Sequence, residues 1–402
     1  MKWLSKHKKL KQLTFQSAIQ AMSNREEFVK EMLISESKLP SIIYDLLLVE
    51  IWREKIFHSM KSIDPQHTSL SIYPILYHEA MAMNILETTL YHSESFETMG
   101  DSVIDFVDYC LRAINQLLIP DREQTRAQTE PNIYTQSENI LTGISFKAIT
   151  CIRFVIENLD DIGRGLISRL TVSADTPMLL TDLLLQKPWK RTNSSGTTME
   201  YSTIENEWKT KDAKTLQPSL LLSPVEIQTW LALYLLLKNN DILASYELFD
   251  HRKEHLLKLR PLFNQVMTDQ VPLLGELQLF LNQLSVHSGP LVPNKKTLLI
   301  EMIPQLRTSL EKVFCNEETK GKLIDRYEEE LVDSSMEKTA ARARLLTDVY
   351  NFESFEAVLP TKHKCELCGH DAERKCSKCR KAWYCTRECQ VKHWKIHKEK
   401  CN

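Results

Sequence analysis

CELCGHDAERKCSKCRKAWYCTRECQVKHWKIHKEKC, residues 365–401, sets cysteine and histidine in the order C-x2-C-x7-C-x2-C-x5-C-x3-C-x7-H-x3-C. The candidate ligands are Cys365, Cys368, Cys376, Cys379, Cys385, Cys389, His397 and Cys401. Thiolates and imidazoles in fours suit zinc, which has no directional electronic demand and accepts a tetrahedron of sulfur and nitrogen. Each C-x2-C is a tight turn that aims two sulfurs at one ion, and Gly369 relieves strain after the first. The C-x3-C and H-x3-C pairs have the i, i+4 spacing of one helical turn. His393 competes with His397 for the imidazole position, and pairing with Cys401 across one turn favours His397. Eight ligands close two sites and leave no position open to water, so the sites are structural and not catalytic. A piece of roughly 40 residues buries little core. Metal binding must therefore supply its folding energy, about 10–16 kcal/mol per structural zinc.

Seven of the ten cysteines lie in this tail. The others, Cys110, Cys151 and Cys315, sit among apolar residues and read as buried free thiols. Residues 361–402 carry 12 Lys/Arg against 5 Asp/Glu, a formal +7 in a chain of −2, which leaves −9 for the rest. Seven thiolates and two dications reduce that +7 to about +4, a modest attraction for polyanions. No C2H2 pattern offers a recognition helix, so nucleic-acid binding is not expected. The opening MKWLSKHKKLKQLTF is basic but has no apolar core behind it, unlike a secretory signal. No apolar run approaches the roughly 18 residues of a membrane span. A reducing compartment and the absence of a membrane span are the expectations.

Ahead of the tail, the 402-residue chain has 9 glycines and 15 prolines, a balance that suits helices. The clearest helix is SPVEIQTWLALYLLLKNN, 223–240. Ser223 is the N-cap, Pro224 the first helical residue, and Glu226 completes a capping box. Ile227, Trp230, Tyr234 and Leu237 mark one face, and Asn239–Asn240 the stop. Similar reading predicts helices at 10–22, 25–34, 40–62, 72–93, 98–118, 135–158, 161–172, 176–187, 253–268, 272–286, 296–315 and 318–350. Polar stretches at 121–132 and 187–218 interrupt them; the second reads as a small hairpin on a long excursion or as disorder. The expected fold is mostly α: a multi-helix body, armadillo- or solenoid-like, over 1–358, and a small two-zinc finger over 359–402.

The body offers no catalytic set. His78-Glu79-Ala80-Met81 begins like a zincin motif, but Ala82 stands where the second histidine would be. Asp101, Asp105 and Asp108 share a helix face and read as a solvated or partner-facing acidic stripe. Gly163-Arg164-Gly165 lacks the rest of a phosphate loop, and there is no Walker sequence or nucleophile elbow. Trp52, Trp189 and Trp230 read as core. No enzyme is expected.

The tail resembles the MYND zinc fingers, including Trp383-Tyr384-Cys385, Cys389-Gln390 and Trp394 before His397. That resemblance implies interleaved sites: Cys365, Cys368, Cys385 and Cys389 on one zinc, and Cys376, Cys379, His397 and Cys401 on the other. It also implies a protein-binding module for PxLxP-type peptides, with Ser377, Gln390 and Trp394 at the peptide groove. Body segments LLVEIWREKIFHSM (47–60), YHEAMAMNILETTLYH (77–92), DSVIDFVDYCLR (101–112), LLTDLLLQKPW (179–189), TWLALYLLL (229–237), LLKLRPL (256–262) and YNFESFEAVLP (350–360) resemble the zinc finger MYND domain-containing protein 10 family. The resemblance implies a non-enzymatic, co-chaperone-like factor for cytoplasmic pre-assembly of inner and outer axonemal dynein arms, needed for motile cilia. The implied partners are other dynein-arm assembly factors, chaperones or co-chaperones and dynein subunits, met near centriolar satellites or dynein assembly particles. The alternative is a nuclear MYND co-repressor adaptor that binds PxLxP-type peptides.

Overall fold

Ser223 caps its helix as read. In the computed structural model its hydroxyl accepts the Glu226 N–H at 3.1 Å, and Pro224–Lys238 is helical. The other half of the expected capping box does not form. The Glu226 carboxylate turns away to accept from the buried Trp189 Nε1 (3.2 Å) and to pair with Lys187 and Lys190 at 3.2 and 3.0 Å. Two cations and an indole donor hold a buried carboxylate better than one backbone amide would.

The structure describes residues 2–22, 27–60, 69–119, 133–192, 196–210, 221–248, 250–286, 303–314, 316–332 and, in the tail, 365–370, 372, 374–376, 378–379, 382–398 and 401. The chain divides into two units, Met1–Leu346 and Thr347–Asn402. The expected boundary at 358/359, the polar loop at 121–132 and Cys315 lie outside the described residues. Among the described residues, body helices of eight residues or more are α1 (Lys2–Met22), α2 (Phe28–Ser35), α3 (Leu39–Lys55), α4 (Ser69–Leu90), α5 (Ser102–Asn115), α6 (Ile133–Glu157), α7 (Thr176–Gln186), α8 (Pro224–Lys238), α9 (Asp250–Leu257), α10 (Leu274–Val286), α11 (Leu306–Phe314) and α12 (Glu317–Val332). The mostly α class holds.

Helices α4 and α6 pack together at the centre. α1 and α3 lie against α4, α5 and α8 against α6, and α7 against α8. This packing centres on two long helices and does not establish a solenoid repeat. By length and composition α6 is apolar enough to cross a membrane, which the sequence reading did not anticipate, but 67% of its apolar window is buried inside the body. A long helix with most of its apolar surface covered suits the centre of a large helical core. Trp52, Trp189 and Trp230 are buried in the core, as expected. Cys110 and Cys151 are fully buried free thiols, and burial pushes both well above the ordinary thiol range.

Polar side chains pin the core helices to one another. Glu79 on α4 accepts from Arg53 Nε and Nη2 on α3 at 2.9 and 3.0 Å, and from the Tyr109 hydroxyl on α5 at 2.9 Å. The zincin-like His78 packs against His7 of α1 with their Nδ1 atoms 3.0 Å apart, so both residues of that motif are engaged by other helices of the body. Nor is the acidic stripe solvated: only Asp101 is exposed. Asp105 is buried and accepts the N–H groups of Gln305, Leu306 and Arg307, each at 3.2 Å, and so caps α11 from another helix. Asp108 takes Arg169 in a two-pronged pair at 2.7 and 2.6 Å.

Several elements differ in detail from the sequence reading. The helix expected over 253–268 stops at Leu257. A 3-10 turn at Arg260–Leu262 follows, because Pro261 has no N–H to donate, and Gln265–Gln270 restarts under an Asn264 cap. The helix expected over 161–172 is split by Gly163 at φ 113° and ends in a π turn, Arg169–Ser173. In the polar excursion the hairpin alternative is the one that forms, with one strand more than expected: β1 (Lys190–Thr192), β2 (Thr198–Ser202) and β3 (Glu207–Thr210) make an antiparallel sheet. Tyr201 faces Trp208 across β2 and β3, and both rings lie against Phe146 of α6. These aromatic contacts give a polar segment its anchor on the body.

Candidate metal centre

The finger is built from two turns, a two-stranded ribbon and one helix. The Cys365 N–H donates to His370 O at 2.8 Å and Gly369 N–H donates to Cys365 O at 2.9 Å. This closes a turn that needs Gly369 at φ 72°. Strands β4 (Arg374–Lys375) and β5 (Trp383–Tyr384) pair antiparallel, and the Glu366 N–H donates to Trp383 O at 3.0 Å, tying the first turn to the ribbon. Thr386 then caps α13 (Arg387–His397) by accepting the Cys389 N–H at 3.3 Å, a start signal not noted in the sequence. Cys385 therefore precedes the helix, and the C-x3-C pair spans its start instead of lying within one turn. Cys401 likewise follows the helix that His397 ends.

These elements gather two tetrads: Cys365, Cys368, Cys385 and Cys389, and Cys376, Cys379, His397 and Cys401. Within each, every ligand atom is within 4.8 Å of the others. In the first, Cys368 Sγ is 3.3 Å from Cys385 Sγ and 3.8 Å from Cys389 Sγ. In the second, Cys376 Sγ lies 3.9 Å from Cys401 Sγ, and Cys379 Sγ lies 3.3 Å from His397 Nε2. A tetrahedron with zinc–sulfur bonds of about 2.3 Å has edges of roughly 3.8 Å, so the donors stand near the spacing one ion demands. No described cysteine is in a disulfide. The tetrads fit two structural zinc ions, whose role when bound is to hold the chain ends and turns together.

Thiol electrostatics agree with that fit. Burial raises the Cys365 thiol, but the backbone N–H groups of Cys385, Cys368 and Leu367 more than offset it and bring it to about 6. Cys376 is also lowered to about 6, first by the backbone N–H of Cys379. Cys385 goes the other way, to about 12, because it shares its hydrogen with Cys368 and Cys389. Four donors this close cannot all ionise beside one another without a cation to share.

His393 is excluded as a ligand by position. Its Nδ1 lies 3.0 Å from the hydroxyl of Tyr384, which is fully buried in the finger's small core. Its ring stacks on His397, at 6.0 Å and 21°. The sequence did not foretell this positioning role, nor that of Lys378, whose ammonium donates to Cys401 O at 3.0 Å. Trp394 is 39% exposed and does not fill the mini-core. Gln390 is half-buried one turn earlier on α13. Ser377 lies outside the described residues.

The MYND finger family matches residues 365–401, which span both tetrads. A zinc finger MYND domain-containing protein 10 homolog from Drosophila melanogaster is 30% identical over 432 aligned positions, covering 100% of this chain and 93% of that protein. The chain belongs to the zinc finger MYND domain-containing protein 10 family. The match runs through the helical body as well as the finger, so body and tail form one family unit in sequence. No solved structure matches. Membership in this family, with a MYND finger, suggests a protein-binding adaptor. The relative bears the name of a zinc-finger protein and not of an enzyme, which is indirect support for a non-catalytic role.

Proposed function

We propose that the chain is an adaptor that helps pre-assemble the inner and outer dynein arms of motile cilia in the cytoplasm. Its helical body holds a dynein subunit or a chaperone, and its finger recruits another assembly factor through a short peptide. The observation that supports this most is the family match along the whole chain, body included. A finger alone would be compatible with many adaptors, the nuclear co-repressor type among them.

The surface of α13 supports the peptide-reading part. Trp394 stands exposed with Val391 one turn before it, and Gln390 is at i−4 from the tryptophan. An aromatic plate beside a carboxamide suits an extended, proline-containing segment: the ring packs the apolar face and the amide meets a peptide group. His397, three residues after Trp394, belongs to the second tetrad, so metal binding fixes the helix that presents the plate. Ser377 joins this proposed groove by its place in the motif.

Two measurements test the reading. Trp394→Ala should keep both zinc ions and lose binding to a synthetic PxLxP peptide; unchanged affinity would move the contact elsewhere. Depleting the protein from multiciliated cells should lower axonemal dynein heavy chains before they reach the cilium, with rescue by the intact chain. Normal heavy-chain levels together with nuclear accumulation of the tagged protein would favour the co-repressor alternative.

A further inference from the structure

A second recess lies in the body, far in sequence from the zinc ligands. It is a half-open cleft of about 310 Å³, walled by one face of α4, one face of α6 and the turn between β2 and β3. Tyr73 and Tyr77 stack at 5.5 Å and 14° along the α4 wall. Asn84 continues that face two turns on, and Asn139 and Lys147 come from α6. The floor is Tyr201, which is 4% exposed and whose hydroxyl is buried with no hydrogen-bond partner. Gly143 makes that floor possible: a Cβ there would sit 2.9 Å from the Tyr201 oxygen. A buried phenol with nothing to bond is costly, and such groups in native proteins call for an explanation.

The chemistry narrows what would fill the cleft. Its charges are already matched within the body, Lys147 by Glu87 at 3.8 Å and Glu205 by Lys209. A charged ligand would leave an excess charge in a partly dry recess, so a neutral one is favoured. Lys147 donates to the Asn84 carbonyl oxygen, which leaves the Asn84 amide hydrogens as donors beside the unpaired Tyr201 hydroxyl. Asn139 and Asn206 at the rim offer both donor and acceptor atoms. That mixture matches the peptide group, which carries one of each. The α4 wall from Tyr73 to Asn84 rises about 16 Å at 1.5 Å per residue. This is the length of about five residues of extended chain.

We infer that this cleft binds a short, uncharged peptide segment in extended form. An aliphatic or proline side chain lies on the Tyr73 and Tyr77 rings, the carboxamides meet the backbone, and one carbonyl accepts the Tyr201 hydroxyl. That hydroxyl is closed to solvent in the free protein and is reached once the exposed Asn206 side chain beside it swings aside. The cleft belongs to the body unit and the α13 plate to the finger unit, so one chain offers two peptide-reading surfaces.

The test uses the full-length, zinc-loaded chain carrying Trp394→Ala, which silences the α13 plate. A display library of random octapeptides is selected on it, and the winners are synthesised with blocked ends and measured by fluorescence anisotropy. The expected winners are neutral across four or five central positions. Tyr201→Phe should weaken them at least tenfold without lowering the urea midpoint, because the hydroxyl it removes bonds to nothing in the free protein. Asn139→Trp, at an exposed rim position, should block them outright. Failure to enrich any peptide, enrichment of acidic or basic sequences, or affinity untouched by both substitutions would overturn the inference.

Discussion

Replacing Glu79 by leucine tests the core most directly. Glu79 is 1% exposed and takes three donors, two from Arg53 and one from Tyr109. The substitution leaves the Arg53 guanidinium, itself 9% exposed in its side chain, without the counter-charge it is hydrogen-bonded to. Breaking a buried pair from one side costs about 3–5 kcal/mol, because the remaining charge stays desolvated. The triple variant Arg53→Met/Glu79→Leu/Tyr109→Phe removes every partner with similar volume, and such exchanges are neutral or stabilising by about 1–4 kcal/mol. The assay is urea unfolding of the zinc-loaded chain followed by helical circular dichroism, which the body dominates. With a slope of about 3 kcal/mol per molar, the single change should lower the midpoint by about 1 M or more, and the triple change should restore it. A loss below about 1 kcal/mol for Glu79→Leu would mean water reaches the pair. A triple variant as weak as the single one would mean that these side chains fix the helix positions by shape, not by charge.

Other outcomes follow from the same structure. The pure protein should carry two zinc ions per chain, and Cys376→Ala should lower the metal content and unfold the finger while body helicity stays; a metal assay returning one ion or none for the unaltered chain would defeat the two-site assignment. His397→Ala should lose an ion where His393→Ala keeps both, and equal losses would return His393 to the ligand set. His7 and His78 supply a pH test. Burial foremost brings them to about 3 and about 4, the His78 and Lys11 charges adding to the effect on His7 and Lys6 to that on His78 against an opposing Asp45. The unfolded imidazoles take up protons near 6.5 while the folded ones refuse them. The stability present above that pH is therefore lost as pH falls from about 6.5 toward 4. His78→Gln should flatten the slope of stability against pH across that window, and an unchanged slope would assign it to other groups.

The finger was legible because metal chemistry is local in sequence. C-x2-C turns are set by a few bonds of backbone, and the order of the ligands carries the site even though the C-x3-C and H-x3-C pairs turn out to straddle the ends of the helix instead of lying within one turn. The helix at 223–238 was legible for the same reason: Ser223, Pro224 and the apolar period all act within a few residues. The roles of Asp105, Asp108 and Glu79 were not, since each is decided by a partner tens to hundreds of residues away. A spaced row of aspartates looks like a wet surface until another helix and an arginine are laid on it. For 187–218 the sequence left a small hairpin and disorder both open, because the order of the strands depends on Tyr201 and Trp208 meeting Phe146.

By itself, then, the sequence determined the seven cysteine ligands and the helical class, because spacing, caps and periodicity are short-range properties of the chain; the family is carried by similarity along its whole length. Tertiary structure decided which imidazole faces the metal site, which acids are buried, and that a phenol without a partner floors a cleft between α4 and α6. Those depend on which faces meet, and packing settles that only once the whole body has closed around them.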